Sequence, residues 1–180
     1  MGKSASSLND VHEKFISAQP MFFAASAPLD ANGHTNVSPK GLDTFRILGP
    51  TKVAYLDLTG SGVETIAHLR ENGRIALMFC SFQGPPSILR LHGNGRVVEA
   101  SSAEFADLAA LFPSYLSTRS IIVVEVSRVS DSCGFGVPLM TYVGERSQLQ
   151  AWAEKKSPEE LLAYRREKNR VSVDGLPGME

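Results

Sequence analysis

Lys52-Val53-Ala54-Tyr55-Leu56-Asp57-Leu58-Thr59-Gly60-Ser61-Gly62-Val63-Glu64-Thr65-Ile66-Ala67-His68-Leu69 passes from a strand, through a glycine-rich turn, into a helix. Ser61 and Glu64 have capping-box spacing, which predicts Ser61 as N-cap and Glu64 at the third helical position. Val63, Ile66 and Ala67 give that helix an apolar face, and Gly73 stands where a left-handed glycine would end it. A helix start carries unpaired N–H groups and about half a positive charge, so it suits an anion. Thr59, Ser61 and Thr65 add hydroxyl donors. The same residues also read as a capped helix with no ligand. No Gly-Lys-Ser/Thr follows, so this is not a nucleotide P-loop, and the spacing is not the dinucleotide-binding glycine fingerprint.

On either side the pattern is mostly strands joined by short turns. Residues 74–82 are almost continuously apolar and read as a strand covered on both faces. Gly84-Pro85-Pro86 breaks it. A long strand from 88 to about 99 is interrupted by Gly93-Asn94-Gly95, a tight hairpin or a bulge. Residues 120–129 form a strongly β-branched strand. Before the central helix, 21–27 and 34–38 read as a hairpin, with a further short strand at 44–48. Helices are predicted after Leu8 (with Asp10 and Glu13 as a capping pair and Leu8, Val11, Phe15 and Ile16 on one face), after Ser101-Glu104, after Ser147, and after Ser157-Pro158. Late in the last helix, Arg165, Arg166 and Lys168 suit its dipole. Residues 1–7 read as a loose end, and those from Val171 onward as an extended tail.

The total is six or seven strands without regular strand–helix alternation. This predicts an antiparallel, mainly β barrel with flanking helices rather than a doubly wound parallel sheet. Residues 1–145 are assigned to the barrel and 146–180 to a helical extension and tail of the same domain.

The chain has 180 residues, 43% of them hydrophobic, with a formal net charge of −1 and a pI near 6.4. Length and composition fit one globular domain that needs no staple. Without a basic excess a general nucleic-acid binder is not expected. Two cysteines, Cys80 and Cys133, make no disulfide framework, and the four histidines show no metal-ligand spacing. No signal peptide or membrane span is read, so the expected compartment is the cytoplasm, with no membrane partner.

Three further segments carry candidate chemistry. Asn36-Val37-Ser38-Pro39-Lys40-Gly41 offers amide, hydroxyl and ammonium groups as it leaves a strand, and reads as either a ligand cradle or a solvated turn. Arg90 shares a strand face with Ile88 and His92, and points to an anion partner or a barrel-end salt bridge. Cys133, in Asp131-Ser132-Cys133-Gly134-Phe135-Gly136-Val137-Pro138, reads as either a reactive thiol or part of a loop packed on a ligand, the nucleophile being the weaker reading.

Taken in order, these pieces resemble the pyridoxamine 5′-phosphate oxidase-related FMN-binding proteins. The likeness runs through Phe22-Phe23-Ala24, Asn36 to Gly41, Ala54 to Gly62, Glu64-Thr65, Ile66-Ala67-His68-Leu69, Leu77-Met78-Phe79-Cys80, Ile88-Leu89-Arg90-Leu91, Cys133 to Pro138, and Asp174-Gly175-Leu176-Pro177-Gly178. It implies a split β-barrel, paired as a homodimer with FMN between subunits. Asn36, Val37, Ser38, Pro39 and Lys40 would line the flavin ring and ribityl chain, and Thr59, Gly60, Ser61, Gly62 and Thr65 would hold the phosphate. Arg90 would be an electrostatic partner, and the loop around Cys133 would reach the partner subunit's flavin. The oxidase itself carries an Arg-Lys phosphate clamp where this chain has Glu64-Thr65, and its C-terminal substrate-binding stretch has no counterpart. The implied activity is therefore an FMN-dependent oxidoreductase acting on something other than pyridoxamine phosphate, with no side chain assigned as catalytic. The alternatives are a non-catalytic flavin-binding or sensing module, or the same barrel holding haem or a deazaflavin.

Overall fold

The computed structural model describes residues 4–179. In chain order the elements are β1 (Ser4–Ala5), α1 (Asp10–Ser17), β2 (Phe22–Ser26), β3 (Asn36–Lys40), β4 (Phe45–Gly49), β5 (Lys52–Leu58), α2 (Glu64–Asn72), β6 (Arg74–Cys80), β7 (Ile88–Glu99), α3 (Phe105–Ala109), β8 (Thr118–Ser132), α4 (Gln148–Glu154) and α5 (Pro158–Lys168). The eight strands form one antiparallel sheet in the order β3-β2-β6-β7-β8-β5-β4, with β1 also on β8. The sheet does not close: its end strands, β3 and β4, share no ladder among the described residues.

The frame is the long ribbon of β7 and β8. Residues Ile88 to Asn94 of β7 pair with β6, while Thr118 to Glu125 of β8 pair with β5. One half of the ribbon thus carries β6-β2-β3 and the other half carries β5-β4. The register shifts at His92/Gly93, so the glycines inside this strand mark a bulge rather than a hairpin. At Gly93 a Cβ would lie 2.2 Å from the Glu125 carbonyl oxygen. Gly93→Ala is therefore expected to cost about 1–3 kcal/mol, because backbone would have to move. A urea midpoint equal to that of the parent would refute this.

The main core lies inside the curl, with Leu77, Leu89, Leu91, Ile122 and Val124 all buried. Phe22, Phe45, Tyr55 and Phe79 meet there edge-on or stacked, at 5.1–5.5 Å between centroids. A second cluster under α3 joins Ala54, Leu56, Ile121 and Val123 to Phe105 and Leu108. The strands covered on both faces are therefore β5 and β8. In β6, by contrast, fully buried residues alternate with half-exposed ones.

Several local expectations are corrected. The α1 cap is Asn9 with His12, not Asp10 with Glu13, and Val11 is 72% exposed because His12 takes the inward place. The second strand starts at Asn36, two residues late. Ser101 and Ser147 give no side-chain cap bond, whereas the Ser157–Glu160 box and Pro158 stand as read. Ser4–Ala5 pairs with β8 instead of hanging loose, and residues 1–3 lie outside the described region. The tail folds back through a Val171–Pro177 bridge and amide bonds from Gly178 and Met179. No described helix is long and apolar enough to cross a membrane.

Candidate functional site

Alternation along β3 turns Asn36, Ser38 and Lys40 inward and leaves Val37 and Pro39 exposed. The inward three bridge the gap that the open sheet leaves. The Asn36 amide donates to Thr65 Oγ1 at 3.0 Å, and Ser38 Oγ donates to Asn36 Oδ1 at 3.3 Å. Lys40 Nζ donates to Asp57 Oδ1 at 3.2 Å. A polar seam thus ties β3 to β5 and to the start of α2.

Asp57 is fully buried, and its second oxygen accepts from Arg119 Nε at 2.6 Å and Ser120 Oγ at 3.3 Å. Burial pushes its pKa up, but the charges of Lys40 and Arg119 outweigh it and hold the carboxyl below its ordinary value. Arg119 also donates from Nη1 to the Gly62 carbonyl at 2.8 Å. Arg165, on α5, donates from Nε to Thr59 Oγ1 at 2.9 Å and from Nη2 to the Thr118 carbonyl at 3.1 Å. Burial and the nearby Arg119 push its pKa down. Two cations therefore share one carboxylate, and a third, Arg165, lies near Arg119 without a carboxylate of its own among the described residues. Glu64, the next acid along, bonds the Val173 amide at 3.4 Å.

The turn itself differs from expectation. Ser61 is exposed and caps nothing, and Val63 occupies the N-cap position without a side-chain bond. Glu64 is drawn to the tail instead of closing a capping box. The C-terminal segment roofs one side of this helix start: Asn169 Nδ2 donates to the Gly60 carbonyl, and Gly178 lies against Val63. Gly60 and Ser61 stay open to solvent. Gly73 ends α2 at φ 71°, as read.

Residues 8–133 match the pyridoxamine 5′-phosphate oxidase family. This chain belongs to that family. It is 42% identical over 190 residues to the pyridoxamine 5′-phosphate oxidase family protein ustO of Aspergillus flavus, covering 96% of this chain and 76% of the relative. Among solved structures it resembles a putative pyridoxamine 5′-phosphate oxidase from Lactobacillus delbrueckii (TM-score 0.55, 18% identity, 71% of this chain and 97% of that one). HupZ from Group A Streptococcus is similar too (TM-score 0.51, 18% identity, 68% and 91%). At such identities the likeness is one of fold, the split β-barrel.

Within this family member, hydrogen bonds join Asn36, Ser38 and Thr65 in one group, Lys40 to Asp57, Arg119 and the Gly62 carbonyl in a second, and Thr59 to Arg165 and the Ser117 carbonyl in a third, with Gly60 and Ser61 beside them. Arg90 and Cys133 lie elsewhere. Arg90 is on the outer face of β7, where it donates to Ser132 Oγ at 2.9 Å and meets no carboxylate among the described residues. The expected barrel-end salt bridge is therefore not formed. Cys133 is exposed just beyond β8, and Cys80 is buried. His68 belongs to the core, its Nδ1 2.9 Å from Ser26 Oγ, and burial lowers its pKa.

The sequence reading missed Arg119 and Arg165. The only signal for Arg119 is a charge immediately before the β-branched strand read at 120–129. Arg165, late in α5, reads from sequence as a charge that suits the helix dipole, and it lies beyond the family-matching stretch. Near the Lys40 end, two adjoining hollows of about 390 and 770 Å³ share Ser17, Gln19, Pro20, Met21, Leu42 and Asp43. Phe22, Phe45 and Phe79 floor the smaller one, and Met140 and Tyr142 wall the larger.

Proposed function

We propose that this family member is an FMN-binding oxidoreductase, with the flavin on the Asn36–Lys40 edge and its phosphate near the Thr59–Thr65 turn. The observation that carries this reading is the cation excess at the seam: Lys40 and Arg119 share the one carboxylate of Asp57, and Arg165, close enough to Arg119 to feel its charge, bonds only Thr59 and Thr118. Such an arrangement is costly unless an anion joins it. The donor set fits a phosphorylated flavin. Asn36 and Ser38 would bond the ring and ribityl chain, and Lys40, held in place by Asp57, would supply positive charge. Bound FMN would supply hydride chemistry, and the barrel would supply position and polarity.

A homodimer fits the same picture. Phe23, Ala25, Met78 and Ile88 form a half-exposed apolar sheet face that continues into exposed Val37 and Pro39. Arg90 and Cys133 lie on or beside that face, so a partner subunit offers the route by which they would approach a flavin. Residues 146–180 complete the domain by roofing the turn.

Apoprotein saturated with FMN at a hundred times its dissociation constant should gain about 2.7 kcal/mol by linkage. For this size that is roughly 5–11 °C in melting temperature. An unchanged melting curve would count against flavin. Bleaching of the bound flavin by a reduced nicotinamide, followed by reoxidation, is the expected sign of turnover. Persistent yellow colour would favour a carrier or sensor, and a Soret band would favour haem.

A further inference from the structure

We propose that Arg165, reaching in from α5, clamps the flavin's terminal phosphate at the Thr59–Gly62 turn, with Arg119 fixed behind it, so that this chain selects phosphorylated flavin over riboflavin. The proposal rests on the flavin reading above and adds the group that sets its specificity.

Four observations converge on this residue. First, Arg119 is committed to Asp57 and the Gly62 carbonyl, whereas Arg165 has no carboxylate within salt-bridge distance among the described residues. Second, Arg165 spends two of a guanidinium's five donors, on Thr59 and Thr118, which leaves the rest for a ligand. The acids of its own helix are engaged elsewhere: Glu159 and Glu160 at Ser157, and Glu167 with Lys168. Third, the turn opens beside it. Gly60 is exposed, and a Cβ built there would meet nothing within 4 Å. Fourth, the Ser117 hydroxyl is buried without a partner next to the same turn, while its carbonyl takes both the amide and the hydroxyl of Thr59.

Two guanidinium groups held near each other repel, and burial weakens the screening that would ease this. A dianion between Arg165 and the Thr59–Gly62 turn removes that repulsion and gains charge-assisted hydrogen bonds, bidentate where the fork allows. The C-terminal extension thereby becomes part of the cofactor site and supplies the arginine that α2 lacks.

The test is equilibrium titration of apoprotein with FMN, riboflavin and inorganic phosphate. Flavin binding is followed by fluorescence quenching, and phosphate binding by its competition with FMN. Wild type should bind FMN at least about tenfold more tightly than riboflavin, and phosphate should compete with FMN alone. Arg165→Ala should lose about 10–100-fold for FMN while riboflavin stays within about twofold, and Arg165→Lys should recover part of the loss. Equal wild-type affinity for both flavins, or equal losses for both in Arg165→Ala, overturns the clamp and leaves the flavin reading standing. Binding of neither flavin by wild type overturns both. Should Arg165→Ala fail to fold by circular dichroism, Arg165→Gln, which removes the charge but keeps an amide donor, is read against the same outcomes. The wild-type comparison needs no variant at all.

Discussion

Asp57→Ala is expected to destabilise the protein by about 3–5 kcal/mol, the usual result of removing one member of a buried charged network. Asp57 is fully buried, the Arg119 side chain is 5% exposed and that of Lys40 is 20% exposed. Deleting the carboxylate strands two cations and frees the Ser120 hydroxyl, and no other described carboxylate bonds Arg119 or Lys40. For a chain of this length the loss corresponds to roughly 6–20 °C in melting temperature. A loss under about 1 kcal/mol would mean that both cations relax into water and that the seam is not a structural tie.

The sign of the pH dependence follows from the same geometry. The folded-state pKa of Asp57 lies below its ordinary value of 3.8, because Lys40 and Arg119 outweigh burial. Its contribution is therefore complete above the unfolded value and is lost as pH falls through the folded one. Denaturation midpoints of the parent should fall below about pH 4. Those of Asp57→Ala should lack that share of the fall, and parallel curves would refute the assignment.

What could be read in advance depended on how far apart the interacting residues lie in the chain. The end of α2 at Gly73, the Ser157–Pro158 cap, and the strands from β2 to β8 follow from neighbours a few positions apart, where spacing carries the signal. The Ser61–Glu64 box failed because the helix begins at Glu64, two residues later than read, which leaves Ser61 outside it and Glu64 free to accept from the amide of Val173, 109 positions away. The Asp10–Glu13 pair failed because Asn9 and His12 satisfy the same amides one register earlier. In the site, Asn36, Ser38, Lys40, Thr59 and Thr65 could be marked from donor chemistry and from family likeness. Asp57 was read only as part of a strand, since nothing local shows that Lys40 will lie opposite it. Arg119 and Arg165 reach the turn from residues 57 and 106 positions away in sequence, so their convergence exists only in the folded chain.

Phe79→Ala is expected to cost about 3–5 kcal/mol from lost burial and the cavity left behind, with each aromatic contact adding about 0.5–1.5 kcal/mol. Phe79 is 2% exposed, stacks on Phe22 at 5.5 Å and meets Phe45 edge-on at 5.1 Å. Phe45 belongs to the end strand β4, and Phe22 to β2, one strand in from the other end. No ladder joins those ends among the described residues, so the curl of the sheet is held across its gap by this aromatic cluster and by the Lys40–Asp57 seam. Truncation at Phe79 should therefore loosen the gap before it loosens the β7–β8 ribbon. Amide exchange should rise most in β4 and β2 and least in β7 and β8. Phe79→Leu fills much of the volume and should cost only about 1–2 kcal/mol. If exchange rises evenly over the whole sheet, the ends are not held separately and the barrel unfolds as a single unit.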